Sequence, residues 1–383
     1  MTREEERRLP DAAGAAAVGG YVRARAAVAA AAGAPLRVEE VTVRAPGPGE
    51  VRVRLVACGI CASDLHVWRT GEGIAFPAVL GHEAAGVIES LGPGVAGRAV
   101  GERVVLAWIP RCGRCRACRA GRTHLCAAMR TDAADGSLTL AGRTLGRYMG
   151  ISGLAELVVV GERTAIPVPA DLPLPTVCSV GCGVTTGFGA AVITGAVRWG
   201  ESVAVFGCGG VGLSAIQGAR IAGAARIVAV DPNRARLRLA GRLGATDLVG
   251  ADDGDPVTAI QALTEGGVDL AIEAVGTGAA VRQAFDALAP GGRAVAVGLP
   301  RFTEEVRIPM IALLLDKSLR GSIHGSADPA RDFPKLFACV RRGALDLEAM
   351  AGPDYPLERV NDAFAALAAG TAVRPRVVLA PDA

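Results

Sequence analysis

The chain has little of what marks a nucleic-acid binder, a membrane protein or a secreted one. Its formal charge is only +3 over 383 residues, and aromatic residues make up 4%. With no basic stripe interleaved with aromatics, nucleic acid is not the expected partner. No run reaches the roughly 18 apolar residues needed to cross a bilayer, so no membrane partner is expected either. Residues 1–22 mix acids into their charged part and contain no continuous apolar stretch. They read as a flexible extension before the first strand rather than a secretory signal. No repeat with a period of about 20–50 residues recurs along the chain.

Hydrophobic residues, by contrast, make up 51% of the chain and charged residues 21%, with 51 glycines and ten cysteines. That composition and length fit two globular domains, each able to bury its own core. In a large chain without a secretory signal, the cysteines read as thiolate ligands rather than disulfides, which points to a reducing cytoplasm.

The texture changes along the chain. From Leu36 to about Leu106, short β runs alternate with turns. Val51, Val53 and Leu55 alternate with Arg52 and Arg54 as in a half-buried strand, and Pro46–Gly49 is a turn. Residues 107–135 form a loop rich in Cys and Arg, and strand-like runs return at Leu157–Val160. From Thr185 to about Ser322, continuous apolar runs (Ser202–Phe206, Arg226–Val230, Val268–Ile272, Ala294–Val297) alternate with helical stretches rich in Ala and Arg. Buried parallel strands have this appearance. The stretch from His324 to the end returns to mixed structure, with a strand expected at Arg376–Leu379. One domain is therefore expected to interrupt another.

Two motifs carry chemistry on their own. Gly207, Gly209 and Gly212 form G-x-G-x-x-G between a predicted strand and a predicted helix, with Gly210 and Val211 inside it. A second strand then ends in Asp231, 24 residues after Gly207. The first glycine allows the tight turn, the second lets the backbone approach a pyrophosphate, and the third lets helix and strand pack closely. Asp231 would accept from the adenosine ribose hydroxyls and repel a 2′-phosphate, which favours NAD over NADP, while Arg236 could soften that preference. The second motif is Cys112, Cys115, Cys118 and Cys126, spaced C-x2-C-x2-C-x7-C. Four thiolates on one loop can close a tetrahedron around Zn2+, leaving no open position, so this site is expected to be structural. Arg111, Arg114, Arg116 and Arg119 would offset its charge, and His124 would be a solvated surface residue.

The segment Gly81-His82-Glu83-Ala84-Ala85-Gly86, continuing to Gly92 and Val95, matches G-H-E-x2-G-x5-G-x2-V. With both cysteine sets, Gly181-Cys182-Gly183 and the glycine-rich turn in the same order, the chain resembles the zinc-containing alcohol dehydrogenases of the medium-chain dehydrogenase superfamily from about residue 23 to 380. The resemblance implies a Rossmann-type doubly wound parallel sheet, residues 185–323, inserted in a mostly-β GroES-like catalytic domain made of residues 23–184 and 324–383. It also implies a catalytic Zn2+ on Cys61, His82 and Cys182, with a fourth position open for substrate. Spacing alone does not reveal this set. Asp64 would orient His82, Glu83 would lie behind the metal, and Ser63 and His66 would relay the hydroxyl proton. Thr186 would pack on the nicotinamide and Arg374 would contact phosphate. Cys58 would be a non-ligand, and Cys178, Cys208 and Cys339 small apolar residues.

The implied reaction is hydride transfer between a small primary or secondary alcohol and NAD. The partner surface would be a homodimer, with pairing into a homotetramer left open, and Val306–Leu315 would contain the sheet edge that pairs. Ala62 departs from the family, which often carries Arg or His there, and so does His324, where a large apolar residue is common. Trp108, Tyr148 and Met149 would line the pocket. Arg130 sits where glutathione-type formaldehyde dehydrogenases bind a carboxylate, which keeps a thiol-adduct (S-hydroxymethyl) dehydrogenase as an alternative, although an exposed charge is the simpler reading. A catalytically silent zinc and nucleotide-binding module is the alternative from another class.

Overall fold

A computed structural model describes residues 20–129 and 135–380. Arg130 and nearly all of the N-terminal extension lie outside the described residues.

Six parallel strands form the nucleotide-type sheet. In space they run Asp247–Gly250, Arg226–Asp231, Ser202–Phe206, Val268–Glu273, Leu288–Ala296, Ser318–Gly321. The middle strands are covered on both faces, which is why their sequences are continuous apolar runs. The helices start where side chains can satisfy their first amides. Asn233 caps Arg234–Leu243, Asp255 caps Pro256–Leu263, and Thr277 caps Gly278–Asp286. The spatial order reverses beside Ser202–Phe206, and a crevice opens at the carboxyl ends of the strands there.

The rest of the chain is mostly β. The strand Glu50–Gly59 is central, pairing antiparallel with Glu83–Leu91, Leu157–Gly161 and Arg376–Val378. Val51, Val53 and Leu55 are fully buried, whereas Arg52 and Arg54 turn outward to Glu89. The pairing of Val378 with Ala57 and Arg376 with Gly59 brings the end of the chain back to its first lobe. Two segments cross between the lobes: the helical stretch from Leu174 to Thr194, and the turn at His324–Ser326.

The edge expected within Val306–Leu315 is not a strand. The edge strand is Ser318–Gly321, and the earlier run is irregular and then forms a short helix, Met310–Leu313. Pro309 explains the difference, because it has no N–H to give a ladder and it stands at that helix's N-cap. Met310, Ile311 and Leu314 are left 82%, 71% and 80% exposed. Among the described residues, no single helix is long and apolar enough to cross a membrane.

Candidate active site

The strand Glu50–Gly59 ends just before Cys61, which is the N-cap residue of the helix Ala62–Thr70. Gly59 pairs with Glu83 in the neighbouring strand. His82 therefore faces Cys61 across the strand ends. Cys182 arrives from the first crossing segment, at the N-cap of Gly183–Gly189. The ligand atoms of Cys61, His82, Glu83 and Cys182 all lie within 4.8 Å of one another, and three of the four residues are buried. Both Glu83 oxygens are taken by Gly183 N and Arg374 Nη2, so two sulfurs and one imidazole remain, a donor set that suits Zn2+ with a fourth position open.

A network of hydrogen bonds orients these groups. Asp64 is fully buried, and its Oδ1 lies 3.1 Å from His82 Nδ1 and accepts from Gly81 N at 2.9 Å. Asp64 Oδ2 accepts from Cys61 N at 3.0 Å, so one carboxylate fixes the backbone beside two ligands and turns His82 Nε2 toward the cluster. Ser63 Oγ is 3.3 Å from that Nε2. Tyr148 packs edge-on against His82, with ring centroids 5.2 Å apart, and its hydroxyl donates to the Ser63 carbonyl at 3.5 Å. Glu83 Oε1 accepts from Gly183 N at 2.9 Å, and its Oε2 accepts from Arg374 Nη2 at 2.6 Å. Burial raises the Glu83 carboxyl above the usual range against the pull of Arg374.

Cys58 is buried outside this donor set, with its thiol on the Gly59 carbonyl. Cys178, Cys208 and Cys339 are buried and free as well. His66 lies in the wall of a cleft of about 570 Å3, 2.9 Å from Glu72. Sequence reasoning had no signal for Glu72, which lies beyond the helix end.

The four thiols of Cys112, Cys115, Cys118 and Cys126 also lie within 4.8 Å of one another. Amides of Ala127 and Cys118 donate to Cys115 Sγ and lower its thiol to about 6, and the Cys112 amide donates to Cys126 Sγ. Amide donors of this kind favour thiolates and so a metal. Two expectations here need correction. Arg111 reaches away to Asp328 at 3.0 Å, tying the loop to the N-cap of the helix Pro329–Arg341 rather than pairing with sulfur. His124 is not a solvated residue: it is part-buried against the turn at His324–Ser326, its Nδ1 is buried without a partner, and desolvation lowers its pKa.

The glycine-rich turn borders a second cleft of about 560 Å3. Gly207 has φ +90°, and a Cβ on Gly212 would sit 1.7 Å from the Gly207 carbonyl oxygen. A Cβ on Gly209 would meet nothing within 4 Å, leaving open space at the start of the helix Gly210–Ile221. Arg374 Nη1 lies beside Gly210, buried and unpartnered. An orphaned cationic nitrogen at a 12-residue helix's N-terminus fits a pyrophosphate. Asp231 is buried and accepts from Cys208 N and Asn233 N, each at 2.7 Å, leaving further lone pairs facing the cleft that it lines with Arg236. Thr186 and Val211 line the cleft nearer the metal cluster, and Val211 and Cys61 belong to both clefts. Sequence reasoning missed Glu273, whose Oε1 accepts from Val275 N at 2.6 Å and holds the loop between the clefts.

An open sulfur–nitrogen metal cluster facing a dinucleotide crevice, beside a closed four-thiolate loop, defines a zinc-dependent dehydrogenase. Family comparison agrees: residues 47–170 match the alcohol dehydrogenase GroES-like domain and residues 210–342 the zinc-binding dehydrogenase domain. The chain is 35% identical over 376 residues to S-(hydroxymethyl)glutathione dehydrogenase of Saccharomyces cerevisiae, covering 94% of this chain and 97% of that protein. It is likewise 35% identical to alcohol dehydrogenase class-P of Arabidopsis thaliana, over 93% and 97%. Among solved structures, benzyl alcohol dehydrogenase of Acinetobacter calcoaceticus superposes with a TM-score of 0.89 at 32% identity, covering 94% of this chain and 99% of that one. An alcohol dehydrogenase zinc-binding domain protein of Burkholderia ambifaria gives 0.90 at 39%, covering 94% and 100%. The chain belongs to the zinc-containing alcohol dehydrogenases of the medium-chain dehydrogenase superfamily, oxidoreductases that use zinc and NAD.

Proposed function

We propose that this enzyme oxidises a small primary or secondary alcohol with NAD, or reduces the matching aldehyde or ketone, at a Zn2+ held by Cys61, His82 and Cys182. The carrying observation is that these donors converge within 4.8 Å, with Cys61 and Cys182 in the wall of a cleft that shares Cys61 and Val211 with the nucleotide crevice. When bound, the metal supplies a Lewis acid and the dinucleotide a hydride acceptor. Asp64 holds the His82 imidazole in one tautomer. Ser63 Oγ accepts the hydroxyl proton while releasing its own, and His66, one turn later on the same helix and beside Glu72, is the final acceptor of the relay. Glu83 carries Arg374 toward the turn formed by Gly207, Gly209, Gly210, Val211 and Gly212. Asp231 favours the free 2′-hydroxyl of NAD, with Arg236 beside it. Thr186 packs under the nicotinamide. Cys112, Cys115, Cys118 and Cys126 hold a second, structural Zn2+.

The chain begins its Rossmann-type domain near residue 185 and leaves it near 323, between the two crossings. It works as a homodimer, the apolar side chains of Met310, Ile311 and Leu314 beside the edge strand supplying the contact. Its free cysteines suit a reducing cytoplasm. The test follows NADH absorbance over a panel of alcohols, with NAD and with NADP, with and without a low-molecular-weight thiol. Thiol-independent, NAD-linked turnover is expected. Activity only with thiol would assign the enzyme to adduct oxidation, and no turnover with two Zn2+ bound would leave a silent module.

A further inference from the structure

Two side chains in the wall of the substrate cleft carry polar atoms that have no hydrogen-bond partner among the described residues. His324 is 1% exposed, and neither Nδ1 nor Nε2 has a hydrogen-bond partner among the described residues. Nε1 of Trp108 is buried and unpartnered as well. The two rings meet edge to face, with centroids 5.2 Å apart and planes at 85°. Both residues line the cleft that also contains Cys61, Ser63 and Cys182. Folded proteins leave few buried polar atoms unpaired, and each one is costly, so three on adjacent rings beside a metal cluster call for a partner.

The backbone holds His324 in an uncommon state. His324, Gly325 and Ser326 have φ of 52°, 63° and 56°, three left-handed residues in a row. A Cβ on Gly325 would lie 2.5 Å from the Thr185 carbonyl, so the turn is locked against the first crossing segment. Strain of this kind persists where surrounding structure enforces it, commonly at ligand sites. Behind the imidazole lies Phe333, with ring centroids 6.1 Å apart. Burial lowers the imidazole to about 3, with His82 and His124 adding to the shift and Asp332 opposing it, so the ring is neutral at working pH. A neutral imidazole offers one donor and one acceptor, and the indole offers one donor.

We propose that His324 and Trp108 form a polar notch that binds a second oxygen of the substrate, a hydroxyl or carbonyl set back from the carbon being oxidised. A hydroxyl oxygen accepts from Trp108 Nε1–H and donates to the imidazole; a carbonyl oxygen accepts from both rings. The preferred substrates are thus diols and hydroxycarbonyl compounds rather than simple alkanols. This specificity rests on the alcohol-dehydrogenase reading of the cleft.

The test compares kcat/KM for n-alkanols and the α,ω-diols of equal chain length, in the wild-type holoenzyme and in His324→Phe and Trp108→Phe. Zinc content and NADH binding are measured on each variant. The wild type should favour the diol at least tenfold at the length that reaches the notch. His324→Phe should erase or reverse that ratio, and Trp108→Phe should reduce it. Should His324→Phe fail to fold, His324→Gln, which keeps a donor and an acceptor, should retain part of the preference that Trp108→Phe loses. A diol-to-alkanol ratio near one at every length, or one unmoved by either substitution, would mean the notch holds only a resident water and would overturn the proposal. A wild type that turns over neither class would instead sink the alcohol reading itself.

Discussion

Removing Arg374 should do two separable kinds of damage. Its guanidinium and the Glu83 carboxylate form an ion pair at 2.6 Å, with side chains 8% and 2% exposed. Breaking one half of a buried pair strands the other charge and typically costs about 3–5 kcal/mol. Arg374 Nη1 is also the orphaned nitrogen beside Gly210, and a charge-assisted bond from it to a cofactor phosphate would contribute roughly 1.5–3 kcal/mol, or about 10- to 150-fold in Kd. Arg374→Met should therefore lower both thermal stability and NAD affinity. In Glu83→Gln/Arg374→Met no charge is stranded, and the side-chain amide carbonyl now at position 83 can still accept from Gly183 N, so stability should recover while NAD affinity stays low. The sign with pH is fixed too. Burial already raises the Glu83 carboxyl, and losing the cation raises it further. The native state then binds more protons than the unfolded one above the ordinary carboxylate range, so the Arg374→Met deficit grows as pH rises and fades in acid. The assays are thermal unfolding of the zinc-loaded protein from pH 5 to 9 and fluorescence titration with NADH. If the double variant were no more stable than Arg374→Met, or if it regained NAD affinity, the two assigned roles would be wrong.

Cys115→Ser should cut bound zinc from two ions per chain to one by elemental analysis and expose the loop around residues 112–126 to protease; retention of two ions would refute the four-thiolate site. His66→Gln should lower kcat/KM near neutral pH by about 100-fold, the low end for general-base steps, and the loss should shrink as hydroxide takes over at high pH; a pH-independent loss would make His66 a packing residue. His324, held to about 3 by burial, is neutral in the fold but takes a proton on unfolding below about 6.5. Wild-type stability should thus fall as pH drops from about 6.5 toward 3, by up to roughly 1.4 kcal/mol per pH unit more than in His324→Phe. Parallel acid-denaturation curves would refute the buried neutral state.

What the sequence could reveal depended on whether the chemistry is local in the chain. The phosphate turn was legible because Gly207 and Gly212 must lie close in sequence for their backbones to meet, and the four-thiolate loop because its ligands come from one segment of 15 residues. The dispersed cluster was not legible from spacing. Cys61, His82 and Cys182 meet only because Gly59 pairs with Glu83 and a crossing segment returns from the far side of the β lobe, and neither fact shows in any short window. Resemblance, not periodicity, supplied that set. The corrections follow the same logic. Arg111 and His124 were read from their neighbours in sequence, yet their surroundings are set by Asp328 and the turn at His324, about 200 residues away. His324 is the sharpest case. As a histidine where the family commonly carries a large apolar residue it has no role assignable from sequence, and only the folded chain sets it against Trp108 with its nitrogens unspent. Departures from a family pattern are where physical accounting adds most, because the shared scaffold fixes the reaction and leaves the choice of substrate to the residues that differ.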